Sequence, residues 1–140
     1  MFEIHPQLKR DCILVGKFEL SYLMLMNDSN YPWFILVPDR EDIKEIFQLS
    51  GKDQTELLKE ISYLSELLHN NFNADKINVA ALGNVVPQLH IHIIVRYAGD
   101  PAWPSPVWGK VTAKEYTGEE KESILTKLKA LIKKDFTFNL

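Results

Sequence analysis

Gln88–Leu89–His90–Ile91–His92–Ile93–Ile94 puts an amide and two imidazoles on alternate positions, with aliphatic side chains between them. In a β-strand successive side chains point to opposite faces. Gln88, His90 and His92 therefore share one face, while Leu89, Ile91 and Ile93 pack into a core on the other. A polar ladder on so apolar a strand either lines a cleft or is satisfied by partners. The stretch reads as a site built on a core strand.

Working outward, Lys76–Leu82 predicts a strand before it, with Gly83–Pro87 as the connecting turn. Upstream, Cys12–Val15 and Leu20–Met26 are apolar runs separated by Gly16–Lys17–Phe18–Glu19 and read as two adjacent strands or one bent hairpin. Asn27–Asp28–Ser29–Asn30 is a dense turn signal before Tyr31–Pro32 and a further apolar run, Trp33–Val37, closed by Pro38. Asp39 is expected to cap a short helix carrying Ile43, Ile46 and Phe47, ended by Gly51. Asp53 and Glu56 resemble a capping pair, opening a helix with Leu57, Leu58, Ile61, Leu64 and Leu68 on one face. Thr117 and Glu120 form a second capping box, ahead of a stripe of Ile124, Leu125, Leu128, Leu131 and Ile132. Strands joined by hairpins and followed by helices predict an α+β fold, with a mainly antiparallel sheet of about five strands under two long helices.

The chain has 140 residues, enough for one domain spanning 1–140 with its own core. Apolar residues make up 46% and charged residues 25%, the profile of a globular domain and not of a disordered or membrane-spanning chain. Sixteen Lys and Arg against 19 Asp and Glu give a net charge of −3, which argues against nucleic acid as a partner. The single Cys12 suits a reducing compartment, and the N-terminus shows no signal-peptide pattern, so a cytoplasmic location and no membrane association are expected. From Tyr97 to Gly109 the chain concentrates Pro101, Trp103, Pro104, Pro106 and Trp108. Such a stiffened aromatic loop can serve as a lid, an oligomer contact or a plug for the core.

Three readings are open for His90 and His92. They can be half-buried, satisfied histidines without chemistry. They can share a metal ion, which needs a further ligand from His5, His69, Cys12 or a carboxylate. Or one imidazole can act as nucleophile, provided its second ring nitrogen donates to a fixed acceptor. The turn before the strand can then supply donors for a developing oxyanion.

The run from Gly83 to Arg96 resembles the signature of the histidine-triad (HIT) family: three histidines alternating with apolar residues on one strand, after a glycine–amide turn. Leu25–Met26–Asn27, the turn at Tyr31–Pro32 and the strand Phe34–Pro38 are similar to the family's nucleoside-binding region. The Trp- and Pro-rich segment is similar to that of a bacterial branch related to diadenosine tetraphosphate hydrolases. The family's first histidine is Gln88 here, which keeps a backbone carbonyl and a hydrogen-bonding side chain. The resemblance implies a nucleotide hydrolase or nucleotidyl transferase acting at the α-phosphate through a covalent nucleotidyl-histidine. It makes His90 the nucleophile and His92 its catalytic assistant. Asn84 and Gln88 are assigned to the phosphate, and Asn27 to the ribose. It implies no tightly bound cofactor and no metal site, with Mg²⁺ accompanying a polyphosphate substrate, and a homodimer. The alternative is a non-catalytic, regulatory nucleotide-binding protein in which Gln88 marks lost catalysis.

Overall fold

The computed structural model describes residues 1–139 as a six-stranded antiparallel sheet with its two long helices on one face. The strands are β1 (Cys12–Lys17), β2 (Ser21–Met26), β3 (Trp33–Pro38), β4 (Lys76–Ala80), β5 (Ile91–Arg96) and β6 (Thr137–Phe138), in the order β4-β5-β3-β2-β1-β6. The helices are α1 (Pro6–Asp11), α2 (Gly51–Asn71) and α3 (Gly118–Leu131). No helix is long and apolar enough to cross a membrane among these residues.

The alternation predicted for the histidine strand is present. Leu89, Ile91, Ile93 and Val95 join Phe34, Leu36, Leu23 and Leu25 in the larger core, which Leu57, Leu64, Leu67 and Leu68 of α2 and Leu128 of α3 cover. His92 pairs across the sheet with Ile35 of β3 and Ala80 of β4, at the centre of three strands. Two neighbouring strands and a packed underside leave that backbone little freedom, which is what a positioned side chain requires.

Several local expectations are corrected. The sheet has six strands instead of about five, because Thr137–Phe138 adds an edge beside Gly16 and Lys17; two residues are too few to show an alternation. Gly16 permits this pairing, since a Cβ there would lie 2.3 Å from the Thr137 carbonyl oxygen. The helix expected after Asp39 is only a 3-10 turn over Ile46–Gln48, with Phe47 exposed. Gly51 opens α2 instead of ending a helix: Ser50 is its N-cap, the Ser50 hydroxyl accepting the Asp53 N–H. Asp53 lies in the first turn and holds Arg40 at 2.7 Å. Leu58, expected on the buried stripe of α2, is exposed, and Leu67, outside that expectation, is buried. The N-terminal residues contain α1, with Pro6 at its first position and the His5 ring accepting the Gln7 N–H at 3.0 Å.

Candidate active site

The face of the sheet away from α2 and α3 carries a second buried cluster. It includes Ile4, Leu8, Met24, Trp33, Ile35, Ile94, Ala102 and Val107. This face is roofed by the N-terminal arm with α1 on one side and by the Trp- and Pro-rich loop on the other. His90 and His92 lie on this face, 7% and 4% exposed, so most of each ring is covered, while Gln88 is part-buried.

Each imidazole is held through one nitrogen. His90 Nδ1 lies 2.7 Å from the carbonyl oxygen of Gln88. A carbonyl can only accept, so Nδ1 carries the proton and the Nε2 lone pair is free. His92 Nδ1 lies 2.9 Å from the indole nitrogen of Trp33. An indole can only donate, so here Nδ1 is the acceptor and the proton sits on Nε2. The two rings pack edge-to-face with centroids 4.9 Å apart. Burial lowers the pKa of His90, with the Gln88 carbonyl opposing and His5 adding to the shift. Burial, and then His90, push His92 down to about 3. Both rings are therefore neutral near pH 7, and their open Nε2 ends have opposite character: one a lone pair, the other an N–H.

Trp33 reaches His92 because of strand register. It stands two residues before Ile35, the partner of His92, and so occupies the diagonal position on the same face. Trp108 closes the other side, its ring centroid 5.0 Å from His92 and 5.6 Å from Trp33. The loop that delivers Trp108 is anchored by Arg96, the last residue of β5. Its guanidinium binds Asp100 at 2.8 and 3.0 Å, Asn78 at 2.8 Å and the Ser105 carbonyl at 2.8 Å. Burial alone would raise the Asp100 carboxyl. Hydrogen bonds from Arg96 and from the backbone N–H groups of Tyr97, Ala102 and Trp103 prevail and hold it at about 2.

The remaining expected residues fall at different distances from the histidines. Asn84 is exposed on the turn before β5, where Gly83 adopts φ +75°. Gln88 directs its side chain to the N-terminal arm: its Oε1 accepts the His5 N–H at 2.8 Å and its Nε2 donates to the Glu3 carbonyl at 2.9 Å. Its backbone carbonyl, not its amide, serves His90. Asn27 lines a cleft of about 460 Å³ with Arg10, Asp28, Trp33, Trp108 and Glu115. Its Oδ1 accepts the Tyr116 N–H at 2.9 Å.

Among the described residues no three His, Cys, Asp or Glu side chains come together to hold a metal ion. Of the ligands considered, His69 is near the end of α2 and binds Asn70, and Cys12 is buried, its thiol pushed up to about 12. Sequence reasoning missed Trp33 as part of the site and considered His5 only as a metal ligand, whereas its backbone N–H holds the Gln88 amide. The diagonal register that carries Trp33 to His92 depends on strand pairing, and no local pattern signals it.

A HIT domain family model matches residues 7–99. A histidine triad protein from Marinobacter aquaeolei is 51% identical, with a TM-score of 0.92 over 94% of this chain and 96% of that one. One from Bradyrhizobium japonicum is 43% identical, with a TM-score of 0.92 over 94% and 98% of the two chains. The Caenorhabditis elegans NitFhit protein shares the fold at 16% identity, with a TM-score of 0.63 over 85% of this chain and 27% of that one. No match is found among curated proteins.

Proposed function

The chain belongs to the HIT domain family, and from that premise we propose that it cleaves nucleotides at the α-phosphate through a covalent nucleotidyl-His90 intermediate. HIT domain proteins are nucleotide-binding hydrolases and transferases. The observation that carries the reading is the 2.7 Å contact between His90 Nδ1 and the Gln88 carbonyl. It directs the Nε2 lone pair outward on a neutral ring, the form in which imidazole is a nucleophile. The Gln at the first triad position supplies this contact from its backbone, so the substitution leaves the orienting group in place.

In the first displacement Nε2 of His90 bonds to the α-phosphorus as the bond to the leaving group breaks. In the second, water attacks phosphorus, the P–N electrons return to Nε2, and a nucleoside monophosphate departs. His92 offers its Nε2–H to a phosphoryl oxygen, and Asn84 with the backbone of its turn supplies further donors. Preorganised donors of this kind are each worth on the order of a hundredfold in rate. The cleft beside Trp108 takes the nucleoside, with the Asn27 amide nitrogen at the ribose. A dinucleoside polyphosphate fits this arrangement, as the similarity to the diadenosine tetraphosphate-type branch suggests. A homodimer is part of the same reading, with β4 at one of the two edges of the sheet.

Brief incubation with α-labelled dinucleoside polyphosphate, quenched in alkali, tests the covalent step. The label should stay on the protein through an acid-labile bond at His90, and His90→Ala should lose both label and turnover. Undiminished turnover in His90→Ala would return the protein to the class of nucleotide-binding modules.

A further inference from the structure

The pair of imidazoles contains no proton that it can give away, and this bears on the leaving group. We propose that the Trp33 indole fixes His92 as a hydrogen-bond donor that never serves as an acid, so that the site selects substrates whose leaving group departs as an anion: phosphoanhydrides over phosphoramidates. The inference rests on His90 being the nucleophile, as read above.

The geometry is the ground for it. His92 Nδ1 already accepts the Trp33 N–H at 2.9 Å. Protonating that nitrogen would set two N–H groups against each other inside a buried cluster, losing the bond and placing a charge beside two indole rings. His92 therefore holds one ring proton, on Nε2, and giving it up would leave an imidazolate. A hydrogen bond can be donated from there, but a proton cannot. The His90 proton on Nδ1 faces the Gln88 carbonyl, away from the reacting end. His5 is a third imidazole, acting on His90, and its Nδ1 likewise accepts an N–H, that of Gln7 at 3.0 Å. The depressed pKa of His92 agrees with this arrangement.

The consequence follows from electron counting. When the α-phosphorus–oxygen bond of an anhydride breaks, the electron pair leaves with a phosphate or polyphosphate oxygen that is stable as an anion. The Nε2–H of His92 can stabilise that oxygen by hydrogen bonding, and no proton transfer is needed. When the P–N bond of a phosphoramidate breaks, the pair leaves with an amine nitrogen that must gain a proton. That proton would have to come from an imidazolium, which the Trp33 contact disfavours at His92.

The test uses the intact protein in two measurements. Long-range ¹H–¹⁵N correlation spectra at pH 7 should show His92 as the Nε2–H tautomer and His90 as the Nδ1–H tautomer. Kinetics should give kcat/KM at least about tenfold higher for a dinucleoside polyphosphate than for adenosine 5′-phosphoramidate. Trp33→Phe, which lacks the donor, should narrow that ratio by raising relative phosphoramidate turnover, more at pH 6 than at pH 8. A His92 proton on Nδ1 overturns the proposal, as does equal or faster phosphoramidate cleavage by the unaltered protein. Neither outcome depends on the variant folding. Turnover of neither substrate would remove the enzymatic reading, and the selection with it, while the spectrum still decides where the His92 proton lies.

Discussion

The two faces of β5 belong to one strand and are held by different forces. On one side Ile91, Ile93 and Val95 meet only other apolar side chains beneath α2 and α3. On the other, His90 just ahead of the strand and His92 and Arg96 within it each have a directional partner: a carbonyl, an indole and a carboxylate. Burial of the first kind is non-directional and scales with area, so it tolerates an exchange of shape that keeps volume. Burial of the second kind is tolerable only while every donor meets an acceptor. Stability is therefore concentrated on the core face and chemistry on the other, and substitutions should separate the two.

The largest effect is expected from His90→Ala. It should lower turnover by on the order of a thousandfold or more, equivalent to about 4 kcal/mol in the barrier, because the proposed mechanism forms its covalent bond at this ring. The thermal midpoint should change little, since the lost ring makes one hydrogen bond. If His90→Ala unfolded the protein, the two faces would not differ in the way described. Ile93→Ala is the converse, one fully buried side chain from the opposite face. It should cost about 3 kcal/mol of stability in denaturant unfolding, by transfer and cavity terms. The activity of the molecules still folded, measured well below the transition midpoint, should stay within a few-fold of the unaltered protein.

The same contrast explains how much could be read from the chain alone. Core positions on β5 were legible because alternation is local, and so was a fixed acceptor for the His90 ring, since it is the carbonyl two residues earlier. Thr117 and Glu120 were legible as a capping box for the same reason, and both reciprocal bonds are present. Trp33 was legible only as a core strand residue, because its contact with His92 spans 59 positions and depends on strand register. The Gln88 amide was expected at the phosphate, and its contacts with Glu3 and His5 lie more than 80 residues away in sequence. Long-range directional bonds leave no periodic trace, whereas burial does.

Arg96 and Asp100 extend the contrast to acid. Both are nearly inaccessible, and the Asp100 carboxyl is held at about 2, below the ordinary 3.8. A carboxyl lowered in the folded state stabilises the fold above its unfolded value, and the contribution fades as pH falls through the folded one. About 2 kcal/mol should thus be present above pH 4 and disappear toward pH 2. Asp100→Asn should be less stable at neutral pH and show a shallower decline across that window in urea titrations. A decline as steep as that of the unaltered protein would move the acid sensitivity to other carboxylates, and the site face would lose its electrostatic anchor.

The smallest expected effect is the most discriminating, because Gln88 serves the site face twice through different atoms. Its carbonyl orients His90, and its amide ties down the arm that roofs the site. Gln88→Ala removes only the amide. Two hydrogen bonds to backbone groups are lost at a part-buried position, where each is worth about 0.5–1.5 kcal/mol and water can replace some of that. A loss of about 1 kcal/mol is expected, with amide exchange accelerated at Glu3–Leu8 and unchanged in β5. Turnover should fall by less than tenfold, since the carbonyl, and with it the tautomer of His90, survives. A collapse in turnover comparable to that of His90→Ala would show that the arm, and not the strand, sets the aim of the nucleophile. A modest loss with local loosening would make the glutamine a clamp for the roof over a site whose geometry is written into the backbone of β5 and its approach.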